Sequence, residues 1–374
     1  MLDFLTKVRR DLHQIPELGF DLFKTKKYVK DLLISFGYNP VTYAKTGLVV
    51  KIKGVKEEAV AFRADMDALP VNELTNVSYK SKHEGVMHAC GHDGHTAILL
   101  GLAKTLKDYP MPKESIILIF QPAEEGPGGA KVMIDEGLIK DYKIKKIFGL
   151  HLFPGINEGL IGIKNGEMLA QNAEFDYDIY GKSSHGAQPH LGVDSIIAAS
   201  NFIISLNQIV SRNINPLEKS VVTTGIVNGG EARNIIAGKT SIKGTIRAFN
   251  EKTYNTLKEK MTDLKLGIEK SFNVSIKGGI TDGYPPVIND ESLFELVRKS
   301  FDKDDLVYLE PYMFAEDFAY YQQEVPGIFS FIGTLNKEKE FTYPLHSNKF
   351  NFDEKVLLNG LNYYFKIIEN LLLY

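Results

Sequence analysis

The sequence predicts an α/β protein with a smaller α+β domain inserted into it. Short apolar strands alternate with helices over residues 1–168 and again over 285–374, as in a largely parallel sheet covered on both faces. Residues 169–284 contain half-exposed strands and two long helices, which is typical of antiparallel α+β structure. The chain has 374 residues, enough for two domains. We therefore predict a discontinuous larger domain, formed by the first two ranges, and one inserted domain.

In the larger domain, two helices are expected within residues 1–37, where Leu5, Val8 and Leu12 share one helical face. Strands are predicted for the apolar runs GLVVKIKG, EAVAFRAD, ESIILIFQ, IKKIFGLHLF and GIFSFIGT. Helices are predicted for HTAILLGLAKTLKDY, GGAKVMIDEGL, NDESLFELVRKSF and DEKVLLNGLNYYFKIIENLL. In open sheets of this kind, ligands collect at the carboxyl ends of the strands. Polar motifs at those ends therefore indicate a site.

In the inserted domain, NAEFDYDIYGKSSH alternates apolar and polar residues like a strand with one exposed face. Helices are expected at about 194–212 and 251–271, and further strands in SVVTTGIVNGG, TSIKGTIRAFN and NVSIKGGITDG. Two helices and about four strands favour a separate domain with its own core.

Composition excludes several classes of function. The net charge of −3 offers no basic surface for nucleic acid. No apolar run approaches the roughly 20 residues that span a bilayer, so no membrane segment is expected. The single cysteine excludes an intrachain disulfide and favours a reducing, cytoplasmic setting.

The motif MHACGHDGH carries Cys90 and His92, two residues apart in a loop before a predicted helix. A thiolate and a neutral imidazole suit Zn²⁺ and related ions. His88 and His95 lie nearby, and His95 is expected one turn into the helix, in a supporting role. The alternative is a polar loop that contains a free thiol.

The motif FQPAEEG places Glu124 and Glu125 at the end of a buried strand. Such carboxylates need a compensating cation, and one of them can bind a metal while the other acts as a general base. A solvated glutamate pair is the alternative. A phosphate-binding loop is disfavoured, because no Lys-Ser/Thr follows the glycines.

His151 ends another buried strand, and His346 lies in a polar loop before the last helix. Either residue alone would be interpreted as structural. With Cys90, His92 and Glu125 they make five candidate ligands, and five ligands with a bridging water fit two metal ions.

Three further motifs have both a functional and a structural interpretation. Asp65 and Asp67 in FRADMDALP could hold a ligand histidine in its tautomer, or form an Asx turn before Pro70. His185 in GKSSHGAQPH could donate to an oxyanion, or lie in a surface loop. Asn234 and Arg247 could hold a substrate carboxylate, or belong to an ordinary strand.

The ordered motifs RRDLHQIPELGF, FRADMDALP, MHACGHDGHT, FQPAEEGPGGA, GLHLFP, GKSSHGAQPHLGVDS and PLHSNKFNFDE resemble the metal-dependent amidohydrolases related to carboxypeptidase G2. The resemblance covers nearly the whole chain. It is strongest to the subgroup of N-acyl-amino-acid amidohydrolases, hippurate hydrolases, auxin-conjugate hydrolases and N-acetyldiaminopimelate deacetylases.

This resemblance implies a zinc-exopeptidase-like catalytic domain with an inserted ferredoxin-like lid domain that forms a homodimer. It implies hydrolysis of the amide of a small N-acyl amino acid, with Glu124 as general base on a water that bridges two divalent ions. It assigns metal ligation to the five candidates Cys90, His92, Glu125, His151 and His346. It also assigns oxyanion assistance to His185, often from the partner subunit, substrate binding to Asn234 and Arg247, and a catalytic position to Asp67.

The usual His-x-Asp of the wider family reads Asp65-Met66-Asp67 here, which leaves the role of Asp67 open. With a thiolate among the ligands, Zn, Mn, Ni and Co are all candidate metals. Some motifs resemble N-acetyldiaminopimelate deacetylases and others resemble general aminoacylases, so the acyl amino acid also stays open. The rival interpretations are a mononuclear aminopeptidase and a non-catalytic binding protein on a hydrolase scaffold.

Overall fold

The computed structural model describes residues 1–371, which divide into two compact units. The first unit comprises Met1–Gly166, Ile288–Glu310 and the residues from Asp317 onward, and the second comprises Glu167–Val287 and Pro311–Glu316. The sequence pattern does not predict that the last of these segments belongs to the second unit. Backbone hydrogen bonds explain it, because the amide of Tyr312 donates to the carbonyl of Met168 at 2.9 Å.

The elements follow one another in this order: α1 (Leu2–His13), α2 (Phe23–Ser35), β1 (Val41–Tyr43), β2 (Gly47–Ile52), β3 (Lys56–Asp65), α3 (His92–Leu106), β4 (Glu114–Gln121), α4 (Gly129–Asp135), α5 (Leu138–Asp141), β5 (Ile144–Asn157), β6 (Ile161–Ile163), β7 (Gly166–Leu169) and β8 (Gln171–Tyr180). The chain continues with β9 (Ser184–His185), α6 (Ser195–Asn213), β10 (Ser220–Gly229), β11 (Ile235–Ile236), β12 (Lys239–Ala248), α7 (Glu251–Phe272), β13 (Ser275–Asp282), β14 (Val287–Asn289), α8 (Glu291–Ser300), β15 (Leu306–Tyr308), α9 (Ala319–Glu324), β16 (Gly327–Leu335) and α10 (Val356–Asn370). None of these helices is long and apolar enough to cross a membrane.

The first unit is built on an eight-stranded sheet with the order β1-β2-β4-β3-β5-β16-β6-β15. Its centre is parallel, because β3 pairs in parallel with both β4 and β5, and β5 with β16. In β4, Ile116 and Leu118 on one face and Ile117 and Ile119 on the other are all fully buried. The predicted α/β sheet, covered on both faces, is confirmed.

The register of this sheet brings the polar motifs together. Asp65, the last residue of β3, lies opposite Gln121, the last residue of β4. Arg63 lies opposite Gly149 of β5, so Asp65 is level with His151 two residues further on. The ends of β3 and β4 therefore lie beside His151 in the interior of β5, at the edge where a ligand is expected in such sheets. The prediction that His151 ends its strand is wrong, because β5 continues to Asn157 along its pairing with β16.

The second unit contains a four-stranded antiparallel sheet with the order β10-β12-β8-β13. Helices α6 and α7 pack on one face of it, where apolar residues such as Phe175 and Phe202 are buried. The opposite face carries polar side chains such as Asp176 and Lys243. Strand β10 forms one edge of the sheet, and within residues 1–371 it pairs with β12 alone.

Candidate metal centre

Five side chains that the sequence predicts as metal ligands lie in one cluster of the first unit. Sγ of Cys90 is 3.4 Å from Nε2 of His151. Oε1 of Glu125 is 3.2 Å from Nε2 of His346 and 4.0 Å from Nε2 of His92. Potential ligand atoms of Cys90, His92 and His151 lie within 4.8 Å of one another, and so do those of Cys90, Glu125 and His346. The cluster therefore consists of two overlapping groups that share Cys90.

Backbone carbonyls set the ring orientation of two of these histidines. Nδ1 of His92 lies 2.9 Å from the carbonyl oxygen of Asp67, and Nδ1 of His151 lies 2.8 Å from that of Leu152. A carbonyl oxygen only accepts, so each Nδ1 carries the hydrogen and donates it. The lone pair of each neutral ring is then on Nε2, which is the atom that faces the cluster. This arrangement is common for metal-binding histidines.

The two other histidines of the MHACGHDGH motif do not offer a lone pair to the cluster. Nδ1 of His95 lies 2.6 Å from Oδ1 of Asp65, and its Nε2 accepts the backbone amide of Leu152 at 2.8 Å. Both nitrogens are thus occupied, and His95 supports the neighbouring residues, as its position in the helix indicated. His88 belongs to none of the possible ligand groups among the described residues, and burial lowers its pKa to about 3.

Nε2 of His92 provides the test of whether a cation fits. It is buried and has no hydrogen-bond partner among the described residues, yet three carboxylate oxygens surround it. They belong to Asp65 at 3.7 Å, Glu124 at 3.9 Å and Glu125 at 4.0 Å, which is too far for hydrogen bonds. A buried ring nitrogen that has no hydrogen-bond partner and lies beside several carboxylates is in the environment that a divalent cation stabilises.

The buried carboxylates also shift the pKa values of two candidate ligands, His92 and Cys90. Burial opposes a charge on His92, but Asp65 and Asp67 overcome it and raise the pKa of His92 to about 10. Burial, with the carboxylates of Glu125 and Glu124, raises the pKa of the Cys90 thiol well above its ordinary value. A cation in the cluster would displace both protons, because only a thiolate and a neutral imidazole bind metals.

Asp67 holds the two glutamates through their backbone. Its Oδ1 accepts the amide N–H of Glu124 at 3.0 Å, and its Oδ2 accepts that of Glu125 at 3.1 Å. Ala123, which directly precedes Glu124, has a φ of 58°, a conformation that non-glycine residues rarely adopt. A side chain at Gly129 would meet the carbonyl oxygen of Pro122 at 1.7 Å, so the following turn requires glycine. The loop after β4 is therefore held in one conformation, in which the carboxylates of Glu124 and Glu125 face the cluster.

His346 also lies in an unusual backbone conformation, with a φ of 65°. Its amide donates to the carbonyl of Ala89 at 2.8 Å, which ties its loop to the segment that carries Cys90. Non-glycine residues in this region are enriched at functional sites. His346 is the most exposed of the five candidate ligands, at 55% of its side chain.

A buried network behind the cluster was not identified from the sequence. Arg63 binds Oδ2 of Asp65 at 2.7 Å and Oδ1 of Asp317 at 2.8 Å, and its Nε donates to Gln121 at 2.9 Å. Asp317 also accepts the backbone amide of Ala130 at 2.9 Å, at the start of α4. The signal for Arg63 was available, because a charge inside the apolar strand EAVAFRAD requires a buried partner. Asp317 has no comparable pattern around it.

In the second unit, His185 and Asn234 lie side by side. His185 of β9 pairs with Ile235 of β11, and the amide of Gly186 donates to the carbonyl of Asn234 at 2.7 Å. Arg247 is distant from both, because it lies near the far end of β12, opposite Asn172. At about 3.3 Å per residue, Arg247 is roughly 26 Å along the strand from the end at which His185 lies.

Residues 61–370 match the model of the peptidase family M20/M25/M40. The chain belongs to this family. It is 38% identical to an N-acetyldiaminopimelate deacetylase of Exiguobacterium sibiricum, over 98% of this chain and 99% of that protein. It is 39% identical to an N-acetyl-L-cysteine deacetylase of Bacillus subtilis, over 98% of this chain and 88% of that protein.

Among solved structures, this M20 chain is similar to the Bacillus subtilis protein YXEP, described as a dinuclear metal binding peptidase from the M20 family. The TM-score is 0.86 at 31% identity, and the match covers 99% of this chain and 98% of that one. The family, the α/β fold and the prediction of a metal-dependent amidohydrolase are confirmed by these comparisons.

Proposed function

We propose that this protein hydrolyses the amide bond of an N-acyl amino acid and releases a carboxylic acid and the free amino acid. The observation that carries the proposal is the cluster of thiol, imidazole and carboxylate groups around the unpaired Nε2 of His92. Relatives named as deacetylases of N-acetyldiaminopimelate and N-acetyl-L-cysteine support the substrate class.

Two divalent ions fit the cluster, with Cys90, His92, Glu125, His151 and His346 as ligands. Bound there, they would polarise the carbonyl of the scissile amide and lower the pKa of a water held between them. The Bacillus subtilis relative is described as a dinuclear metal binding peptidase, which supports two ions per site in this protein. The mixed donor set admits Zn, Mn, Ni or Co, and activity after reconstitution with each ion separately would select among them.

Glu124 is proposed as the general base. Its Oε2 lies 3.9 Å from Nε2 of His92, in one group with His92 and Glu125, and its backbone is held by Asp67. From this position the carboxylate takes the proton of the attacking water and returns it to the leaving amine. Asp67 is then a positioning residue, because both its oxygens are occupied by backbone N–H groups of Glu124 and Glu125.

His185, Asn234 and Arg247 are proposed to bind the substrate and its oxyanion. An N-acyl amino acid is about the length of a dipeptide, roughly 7 Å. One chain cannot place Arg247 and the pair His185–Asn234 on the same substrate, because they lie at opposite ends of the sheet. This separation supports a homodimer in which each active site receives His185 and Asn234 from the partner.

The second unit has a surface that fits a second copy of this chain. Strand β10 is an unpaired edge with Val221, Ile226 and Val227 exposed. Helix α6 packs beside β10 and exposes Ile204 to 71% of its side chain. Unprotected apolar edges rarely face solvent in a monomer. We therefore propose edge-to-edge pairing of two β10 strands, and a reducing cytoplasmic location in which Cys90 stays reduced.

Intersubunit complementation tests this arrangement. Glu124→Gln and His185→Ala chains would each be inactive alone, but a mixed dimer has one site with both native residues. Mixing them after dissociation should restore roughly a quarter of wild-type activity. A mixture that forms heterodimers and stays inactive would show that His185 does not act across the interface.

The reaction itself is tested by a free-amine assay on metal-loaded protein. The panel contains N-acetyl-L-cysteine, N-acetyldiaminopimelate, N-benzoylglycine and an unacylated dipeptide, each with and without a chelator. Chelator-sensitive release from an acylated amino acid is expected, and the best substrate identifies the acyl amino acid. Preference for the free dipeptide would favour an aminopeptidase instead. No release from protein with two bound ions would contradict the proposed reaction and favour a binding protein.

A further inference from the structure

The motif RRDLHQ of α1 contains an arginine that the proposed reaction does not use. Arg9 lies on the apolar stripe of α1 with Leu5, Val8 and Leu12, and it is only 1% exposed. A buried guanidinium is costly unless all its donors are satisfied. Its partners therefore indicate what it holds together.

One terminal nitrogen of Arg9 donates to the hydroxyl of Tyr79 at 2.9 Å and to Oε1 of Glu354 at 3.3 Å. Its two other side-chain partners lie on segments that are distant in sequence. Nε of Arg9 donates to Oδ2 of Asp93 at 3.0 Å, and Asp93 directly follows His92. The other terminal nitrogen donates to Oδ1 of Asn351 at 2.7 Å, and Asn351 lies five residues after His346. Arg9 thus spans the segment that carries Cys90 and His92 and the segment that carries His346.

Packing reinforces this connection. The guanidinium of Arg9 lies over the ring of Phe352, 4.3 Å from its centroid. A Cβ on Gly94 would approach Cζ of the same ring to 2.9 Å, so the first turn of α3 fits closely against it. His13 holds the same oxygen of Asp93, with its Nδ1 2.8 Å from Oδ2.

We propose that Arg9 is a positioning residue that couples the Cys90–His92 segment to the His346 segment and so sets the affinity of the metal centre. The proposal rests on the proposed function, because it takes these three residues as ligands. A planar guanidinium spreads five donors over three nitrogens and so reaches acceptors on two segments at once. An ammonium has its donors on a single nitrogen, and an apolar side chain has none. Residues that orient metal ligands typically change metal affinity by about 10- to 100-fold when they are replaced.

The test compares Zn²⁺ affinity of the full-length protein in competition with a chromophoric chelator, with wild type measured first. Arg9→Met should weaken Zn²⁺ binding by about 10- to 100-fold. The matched control is Arg10→Met, because Arg10 binds Glu354 at 2.6 Å but neither Asp93 nor Asn351. This control should bind Zn²⁺ like wild type.

Arg9→Lys keeps the positive charge, and it replaces Arg9→Met in the affinity measurement if Arg9→Met does not fold. It should also weaken Zn²⁺ binding, since an ammonium cannot reach both segments. Asn351→Ala removes the hydrogen bond between Arg9 and Asn351, in the segment that carries His346. Its effect on Zn²⁺ affinity should therefore not add to that of Arg9→Lys in the double variant.

Wild-type protein that binds no Zn²⁺ would contradict the proposed function itself. If wild type binds two ions, a folded Arg9→Lys or Arg9→Met protein with wild-type affinity would overturn the role of Arg9. In that case a lower thermal midpoint alone would mean that Arg9 only stabilises the packing of α1. Fully additive effects of Arg9→Lys and Asn351→Ala on affinity would also contradict the coupling.

Discussion

The adjacent residues His92 and Asp93 belong to two different buried polar clusters. The clusters differ in whether the buried polar atoms of these two residues have hydrogen-bond partners. His92 points into the proposed metal centre, whereas Asp93 points towards Arg9 and His13. Both clusters contain histidine and carboxylate groups at almost no exposure. In the Arg9 cluster, each oxygen of Asp93 accepts a hydrogen bond. In the metal centre, Nε2 of His92 has none among the described residues.

Whether the buried polar atoms have hydrogen-bond partners distinguishes a structural cluster from a ligand site better than the types of residue present. Arg9 compensates the charge of Asp93, and although burial opposes ionisation, Arg9 and His13 hold the pKa of that carboxyl far below its usual range. In the metal centre Arg63 compensates Asp65, but Glu125 is paired with His92 and His346 and with no lysine or arginine among the described residues. A buried site that lacks a compensating charge is one that an ion completes.

The largest expected effect is on turnover and belongs to the metal centre. Glu124→Gln removes the proposed base and leaves the five ligands in place. We expect turnover to fall by at least about 100-fold while two ions remain bound, since general-base catalysis contributes on that scale. Steady-state kinetics with metal analysis checks this. Near-normal turnover would remove Glu124 from the role of base.

A smaller loss is expected for Asp67→Asn. An amide offers one acceptor where the carboxylate satisfies the N–H groups of both Glu124 and Glu125. We expect kcat to fall by about 10- to 100-fold with little change in thermal stability, as for residues that orient catalytic groups. Unchanged kcat at full metal occupancy would show that the loop holds its shape without Asp67.

The third expected effect concerns metal affinity rather than turnover, and it is a dependence of that affinity on pH. In metal-free protein His92 has a pKa of about 10, and Cys90 has a pKa above its ordinary value. Both are protonated between pH 6 and 8 and must lose the proton on binding, so affinity should rise with pH. The rise is about tenfold per pH unit for each proton released. Calorimetry in buffers of different ionisation enthalpy counts these protons, and a pH-independent affinity would contradict the assignment.

The sequence predicts the metal centre better than the groups that position it. Glu125 follows the apolar strand β4, Cys90 lies just before α3 and His151 lies within β5, so local pattern and topology place them at one sheet edge. The sequence leaves the role of Asp67 open, because its partners are backbone amides whose direction depends on the folded loop. The connection from Arg9 to Asn351 joins residues 342 positions apart, and no local pattern contains that information.

Metal content measured on matched histidine variants tests the central claim most directly. His92 and His88 are both buried in the same motif, and each has a ring nitrogen without a hydrogen bond among the described residues, but only His92 faces the carboxylates. After loading and desalting, we expect two ions per chain in wild type and in His88→Ala, and at most one in His92→Ala. Circular dichroism confirms that the variants are folded. Two ions retained by folded His92→Ala would contradict the account.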